Sequence, residues 1–425
     1  MKSILIGFLI FLSLSIEAQS NAIQRALKSY NYELAIQLIT KEKKSAEMDF
    51  LKAKCYKNIG QLKPAIGIFE EIVKQDNSNL SAINELADCY QLTGDLSKSK
   101  FYYFMALQTE PNNRYMQLNY MNIVYKLRDW NSTISLADSI LKKDSLPILY
   151  PILGDCYFQI SKKDSAIFYY QKELKHIPED YNTLNKLSRI YLQDNNYNEL
   201  INCTERYIQS DSSNQQINQY NGIAYCMNKD YDKAIYRLNK LFLQGDSSFL
   251  TNYYLGASYL ALTDYIPAFD HLSQSYQKDS TNLNLIYYLG RTSILIGHHA
   301  DGIELLNRGL DLAIPKDSVL FNFYNNIALG YSRLFKYSES LKYYEICNKL
   351  KPDNKITLYT IAGIYDNHLN SPKQALKYYN LFIATFPIEP EKPKEVVENE
   401  LSGTYYSAVK NRIEELKNNL FFDKK

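Results

Sequence analysis

The sequence predicts an all-α protein in which short helix pairs follow one another along the chain. The first observation is a tyrosine that returns at intervals of 32 to 35 residues, with one longer gap of 72 residues. The second is a small residue three positions before most of these tyrosines, and the third is the lack of any sustained period-2 alternation. The recurring tyrosines are Tyr56, Tyr90, Tyr125, Tyr157, Tyr191, Tyr225, Tyr259, Tyr331 and Tyr365.

The small residues have a physical explanation in helix packing. Two antiparallel helices joined by a short turn pack with their axes about 8–10 Å apart only if one side of the contact is small. We therefore expect each small residue to receive the second helix of its own unit, while the tyrosine fills the space toward the next unit. The small residues are Ala53, Ala87, Gly154, Ser188, Gly222, Gly256, Gly290, Ala328 and Ala362, with Asn122 as the exception.

One unit carries a complete set of matching positions, namely Tyr150, Leu153, Gly154, Tyr157, Ala166, Tyr170 and Pro178. In this pattern the chain resembles the tetratricopeptide repeat family. The resemblance implies a right-handed superhelical solenoid of about eleven antiparallel helix pairs. A truncated unit from Gln19 to about Lys44 comes first. The ten full units are predicted to begin near Ala46, Leu80, Tyr115, Pro147, Tyr181, Gln215, Phe249, Leu283, Phe321 and Lys355.

Residues 1–18 have the pattern of a secretory signal peptide. Lys2 gives the positive start, an apolar run extends from Ile4 to Leu14, and Ala18 ends an acceptable cleavage site. The apolar run is too short to cross a bilayer comfortably, because about 20 residues are needed. We expect an exported bacterial protein, periplasmic or otherwise associated with the cell envelope. No transmembrane segment is expected in the mature chain, although an uncleaved anchor remains the alternative at this end.

The repeats are predicted to occupy residues 19–388, and a Pro-rich linker with a terminal helix residues 389–425. The insertion from Ile314 to Ser318 lengthens one connection, so a bend near residue 316 and a rigid continuation are both open. The unit at Tyr115 has large residues at small sites, which predicts a wider helix pair. The amphipathic stretch from Thr404 to Leu420 is expected to cap the solenoid or to dock a partner.

Charge and cysteine content restrict the classes of partner and site. The 48 Lys and Arg residues nearly balance the 46 Asp and Glu residues, so the net charge is +2 and nothing indicates a nucleic-acid surface. Equivalent cysteines in successive units, such as Cys55 and Cys89, should lie too far apart for a disulfide. We therefore expect all six cysteines to be free thiols, mostly buried in the helix contacts.

Catalytic and metal-binding motifs are absent from the sequence. There is no phosphate-binding loop, nucleophile elbow or zinc-protease motif, and the adjacent His298 and His299 lack the spacing of a helical metal pair. Asp88 and Asp155 fall at equivalent helix positions, where we interpret them as solvated face residues. The sequence predicts no enzyme, no cofactor and no metal site.

Surface recognition is the remaining function, and the family resemblance implies that the first helix of each pair lines a concave groove. The groove residues carried over in this way are Gln216, Gln219, Tyr253, Tyr287, Arg291, Asn325 and Arg333. We expect a protein–protein interaction scaffold that binds a protein or peptide through this groove or through its end faces. A glycan- or peptide-binding module that uses the tyrosines is the alternative, and an enzyme with a dispersed site is a further one.

Overall fold

The computed structural model describes residues 21–312, 317–386 and 400–422 of the chain. Within these ranges the secondary structure consists of helices with short connections and no strand, and consecutive helices pack on each other in pairs such as α3–α4, α5–α6 and α15–α16. The ranges contain eleven pairs, α1–α2 to α21–α22, and a final helix α23. The predicted signal peptide, residues 313–316 at the expected bend, and the Pro-rich stretch of residues 387–399 lie outside them.

The helices fall into two compact units, and the boundary lies within α11, between Leu187 and Ser188. The first unit comprises α1 (21–28), α2 (Tyr32–Thr40), α3 (Ala46–Asn58), α4 (Leu62–Gln75), α5 (Leu80–Leu92), α6 (Leu96–Thr109), α7 (Arg114–Lys126), α8 (Trp130–Leu141), α9 (Leu149–Gln159), α10 (Lys163–His176) and the start of α11 (Tyr181–Gln193).

The second unit contains the remaining helices. It comprises the rest of α11 followed by α12 (Tyr197–Ser210), α13 (Gln215–Met227), α14 (Tyr231–Leu243), α15 (Phe249–Ala261), α16 (Tyr265–Lys278), α17 (Leu283–Leu295), α18 (His299–Leu312), α19 (Asp317–Arg333), α20 (Tyr337–Leu350), α21 (Lys355–Asn367), α22 (Pro372–Ala384) and α23 (Glu400–Phe422).

The predicted repeat starts coincide closely with the first helices of the pairs, and seven of the ten fall on the first helical residue. The clearest difference is α19, which begins at Asp317 and not at the predicted Phe321. Asp317 and Ser318 thus belong to a first helix of 17 residues, and the insertion is only partly a connection. The wider helix pair predicted at Tyr115 is also present, because α7 and α8 share a smaller contact than the pairs α5–α6 and α9–α10 do.

The glycines at the small positions lie where the helices touch. A Cβ atom added to Gly154 would lie 2.4 Å from a ring carbon of Tyr170, and one added to Gly256 would lie 2.6 Å from Leu272 Cγ. Gly222 and Gly290 face leucines of their own second helices in the same way. The predicted reason for the pattern is therefore confirmed, because only a residue without a side chain permits these helix approaches.

Asp88 and Asp155 are not solvated face residues, and that interpretation was wrong. Asp155 accepts hydrogen bonds from Tyr125 at 2.9 Å and Tyr170 at 2.7 Å, and Lys186 Nζ lies 2.7 Å from its Oδ1. Asp88 likewise pairs with a lysine and binds tyrosine hydroxyls. These carboxylates tie successive helix pairs together, which the helix position alone did not indicate because a lysine and a tyrosine of each set come from neighbouring pairs.

The terminal helix α23 packs on the last pair of the second unit. Val409, Ile413 and Leu416 are buried against α21 and α22, as their shared face predicts. The Arg412 side chain adds two hydrogen bonds of 2.9 Å to the Asp366 carboxylate, which is only 5% exposed. The helix therefore occupies the end of the array through both apolar and charged contacts.

Two further expectations concern the cysteines and the membrane. The six cysteines are free thiols, and Cys203 is the one among them that is only half-buried. Among the helices in the described ranges, none is both long and apolar enough to cross a membrane.

Candidate partner-binding cleft

A cleft of about 470 Å³ lies in the second unit, on the first helices α13, α15 and α17. The turns that follow α13 and α15 and the first residues of α14 and α16 complete its walls. It is lined by Cys226, Met227, Lys229, Tyr231, Tyr253, Tyr254, Ala257, Leu260, Ala261, Thr263, Tyr265, Tyr288 and Arg291.

Three half-buried tyrosines form a contiguous aromatic floor. The ring of Tyr253 stacks on Phe249 at a centroid distance of 5.6 Å and meets the edge of Tyr254 at 5.0 Å. Tyr288 from the next first helix lies 6.0 Å from Tyr253 in a tilted arrangement. These contacts hold the rings in fixed positions, so a ligand would meet them without a large cost in side-chain ordering.

The wall residues repeat at the period of the chain. Six pairs of lining residues are separated by 34 positions: Cys226 and Leu260, Met227 and Ala261, Lys229 and Thr263, Tyr231 and Tyr265, Tyr254 and Tyr288, and Ala257 and Arg291. The cleft thus spans two equivalent junctions between successive units. Its two halves differ chiefly in charge, because Lys229 corresponds to Thr263 and Arg291 corresponds to Ala257.

The chemistry of the cleft is that of hydrogen-bond donors on an apolar base. Lys229 and Arg291 are exposed, and the lining contains neither a carboxylate nor a side-chain amide. Asp230, beside Lys229 in the chain, is paired with Lys233 at 2.8 Å. Burial raises the pKa of Tyr253, Tyr254 and Tyr288, so their hydroxyls stay protonated at neutral pH.

Two of the predicted groove residues, Tyr253 and Arg291, line the cleft. Tyr287 instead packs 5.3 Å from Phe323 and accepts a hydrogen bond from Asn326 at 3.3 Å. Asn325 is half-buried and Arg333 is exposed in α19, and neither lines the cleft.

The two glutamines of the predicted set contribute to the contact between α13 and the start of α15. Gln219 donates to Ser248 at 3.1 Å and Thr251 at 3.0 Å, and the amide of Gln216 reaches Gln219 at 3.3 Å. These bonds join α13 to the start of α15, so both residues position the cleft helices without lining the cleft.

Comparison with known proteins finds one family match, outside the cleft. The profile described as "Tetratricopeptide repeat" matches residues 321–354, which include most of α19 and all of α20. That stretch is one of the units with the small–Tyr–small spacing, and the same spacing continues through the pairs before and after it. Residues 321–354 are thus matched as one tetratricopeptide repeat, and the chain resembles that family in its consecutive helix pairs. No curated protein sequence matches it.

Several solved tetratricopeptide repeat structures are similar to the chain. Cut9 with Hcn1, a hetero-tetramer of APC/C, is 14% identical with a TM-score of 0.42, covering 91% of this chain and 88% of that one. The C-terminal part of a repeat protein from Cytophaga hutchinsonii is 14% identical with a TM-score of 0.42, covering 56% and 97%. YrrB, described as a TPR protein with an unusual peptide-binding site, is 14% identical with a TM-score of 0.39, covering 45% of this chain and 96% of that one.

Sequence reasoning missed the wall of the cleft. Tyr231 and Tyr265 are the first residues of the second helices α14 and α16, and that position favours a packing role. The signal that would have found them is the 34-residue spacing, which relates Tyr231 to Tyr265. Lys229 and Thr263 show the same spacing two residues earlier, in turns where their φ angles are positive. Turn residues face the same side as the first helices at this junction, which only the folded unit shows.

Proposed function

We propose that the protein is a non-enzymatic scaffold of the cell envelope that binds a protein partner through the cleft on α13, α15 and α17. Tetratricopeptide repeats are folds of protein–protein interaction. The observation that carries the proposal is the contiguous floor of Tyr253, Tyr254 and Tyr288, which remains half-exposed among otherwise buried helix contacts. Aromatic rings held in place are typical anchors of protein interfaces.

A protein partner is favoured over a neutral glycan by the chemistry of the lining. Sugar hydroxyls both donate and accept hydrogen bonds, and carboxylates and amides are the side chains that accept most readily from them. The cleft contains neither. Its tyrosines also contact one another, so they form one apolar surface and not a row of separate platforms.

The envelope location rests on residues 1–18 alone, whose charged start and apolar run are typical of an export signal. Fractionation of the source cell tests it directly. The protein is expected in the envelope fraction with residues 1–18 removed, as intact-mass measurement would show. A full-length protein in the cytosol would contradict the location, while leaving the cleft to be judged separately.

The cleft is tested by filling it. In the Ala257→Trp variant an indole would occupy the space above Tyr254 and Tyr288, because Ala257 lies on the wall. Affinity purification from envelope extract, quantified by mass spectrometry, is expected to recover a partner with the native protein and to lose it with this variant. The matched control is Gln209→Trp, which places the same ring on an exposed site of α12 and should retain the partner.

Thermal unfolding shows whether both variants remain folded. Equal recovery of the partner by the native protein and a folded Ala257→Trp variant would contradict the proposed cleft. Binding to a neutral-glycan array that Ala257→Trp abolishes, with no protein recovered, would replace the protein partner by a glycan.

A further inference from the structure

We infer that the cleft selects a peptide segment in which carboxylates flank an apolar side chain, an inference that rests on the proposed function and specifies its ligand. The geometry that carries it is the combination of an aromatic floor with two cations and no compensating acid. Lys229 follows α13 and Arg291 belongs to α17, so α15 and its tyrosines lie between the two charges.

The floor requires an apolar group. Tyr253 is held between Phe249 and the rings of Tyr254 and Tyr288, and the lining adds Leu260 and Met227. Burial raises the pKa of Cys226, which keeps its thiol neutral at the base of the cleft. A leucine or phenylalanine of a bound peptide would cover this surface and displace water from it.

The polar groups that line the cleft favour a ligand with negatively charged hydrogen-bond acceptors. The polar groups that line the cleft are tyrosine hydroxyls, the Thr263 hydroxyl, an ammonium and a guanidinium. An ammonium and a guanidinium can only donate, and a hydroxyl readily donates to an anion. A carboxylate is therefore well matched, and the planar guanidinium of Arg291 can hold one in two parallel hydrogen bonds.

The absence of an acid from the lining makes the match selective. In the described ranges, neither Lys229 nor Arg291 forms an ion pair with a carboxylate, whereas Asp230 is already held by Lys233. A basic peptide would therefore place its charge beside two cations, with no carboxylate in the lining to compensate it. Like charges brought together in this way disfavour the wrong partner and give specificity.

The inference also concerns the length of the ligand. The first helices of successive pairs are spaced by about 10 Å, so the cleft covers roughly 20 Å from α13 to α17. An extended peptide advances about 3.3 Å per residue, so roughly six residues cross the cleft. One acidic residue on each side of one or two apolar residues fits within that span.

The experiment measures fluorescence anisotropy of labelled peptides with the full-length mature protein. The probe peptide contains Asp-Leu-Phe-Asp between glycine–serine flanks, and its matched isostere contains Asn-Leu-Phe-Asn. We expect the acidic peptide to bind at least about tenfold more tightly than the isostere, because each charged hydrogen bond contributes on that scale. The preference should shrink at high salt, where the exposed cations are screened.

The variants test the two cations. Arg291→Gln and Lys229→Gln are each expected to weaken the acidic peptide by about tenfold and to leave the isostere nearly unchanged. Arg206→Gln removes the same charge from an exposed site of α12 that does not line the cleft, and it should leave both peptides unaffected. Circular dichroism confirms that each variant is folded.

The outcomes separate this inference from the proposed function. Equal binding of both peptides, or loss of binding in Arg206→Gln to the same extent as in Arg291→Gln, would overturn the carboxylate preference while leaving a peptide-binding cleft. Failure of both peptides to bind would also overturn it. The proposed function would then still be decided by recovery of a partner with the native protein and its loss in Ala257→Trp.

Discussion

At the scale of single residues, the fold depends on glycines, which lack a side chain and so let the two helices of a pair come close together. Gly154 lies against Tyr170, a fully buried residue whose hydroxyl is held by Asp155 at 2.7 Å. The tyrosine ring therefore cannot turn aside for a larger neighbour. Gly67, also in the middle of a helix, has no atom of another residue within 4 Å of its would-be Cβ. The two glycines have the same backbone conformation and opposite surroundings.

This contrast gives a prediction for glycine-to-alanine substitutions. Gly154→Ala should lower the free energy of unfolding by about 1–3 kcal/mol, because the new methyl overpacks the contact with Tyr170. Gly67→Ala should raise it by about 0.5–1 kcal/mol, because alanine is the better helix former and nothing obstructs it. Urea unfolding followed by circular dichroism measures both. Stabilisation by Gly154→Ala would show that the helices of this pair are not in close contact.

At the scale of elements, the terminal helix α23 shows how charge and packing combine at the end of the array. Val409, Ile413 and Leu416 bury the apolar side of the helix. Arg412 covers the Asp366 carboxylate, which also accepts a hydrogen bond from Tyr379 at 3.2 Å. The Lys417–Glu414 pair on the same helix is different, because both side chains are more than half exposed.

The two ion pairs predict different effects on the terminal helix. Arg412→Ala should reduce the stability of α23 by about 1–3 kcal/mol, because it leaves a buried carboxylate with fewer partners. Lys417→Ala should change it by less than about 0.5 kcal/mol, since exposed pairs contribute little. Hydrogen exchange of the α23 amides measures the local stability. Equal protection in the two variants would mean that the Asp366 contact does not hold the helix.

At the scale of the whole molecule, the sequence predicts the succession of helix pairs better than the use of their surface. The 34-residue period locates most repeat starts, because each glycine or alanine at a helix contact is fixed by the pair that contains it. The start of α19 differs because added residues can extend a helix as readily as a turn. The repeat pattern does not distinguish a longer helix from a longer turn.

The cleft was only partly predictable for a related reason. Tyr253 and Arg291 follow from the family positions, whereas Tyr231, Tyr265 and Lys229 come from turns and second helices. Tyr287 occupies the same repeat position as Tyr253, yet Phe323 on the longer helix α19 covers it. Equivalent sequence positions therefore have different surroundings wherever the neighbouring unit changes.

The central claim is that a partner contacts the first-helix side of the second unit at the cleft. Photocrosslinking in the source cell tests it most directly, with a photoreactive phenylalanine placed either at Tyr288 or at Tyr236. Tyr288 lines the cleft, and Tyr236 is 67% exposed on the second helix α14. The account predicts a discrete adduct from position 288 and none from position 236. An adduct from position 236 with none from position 288 would contradict it.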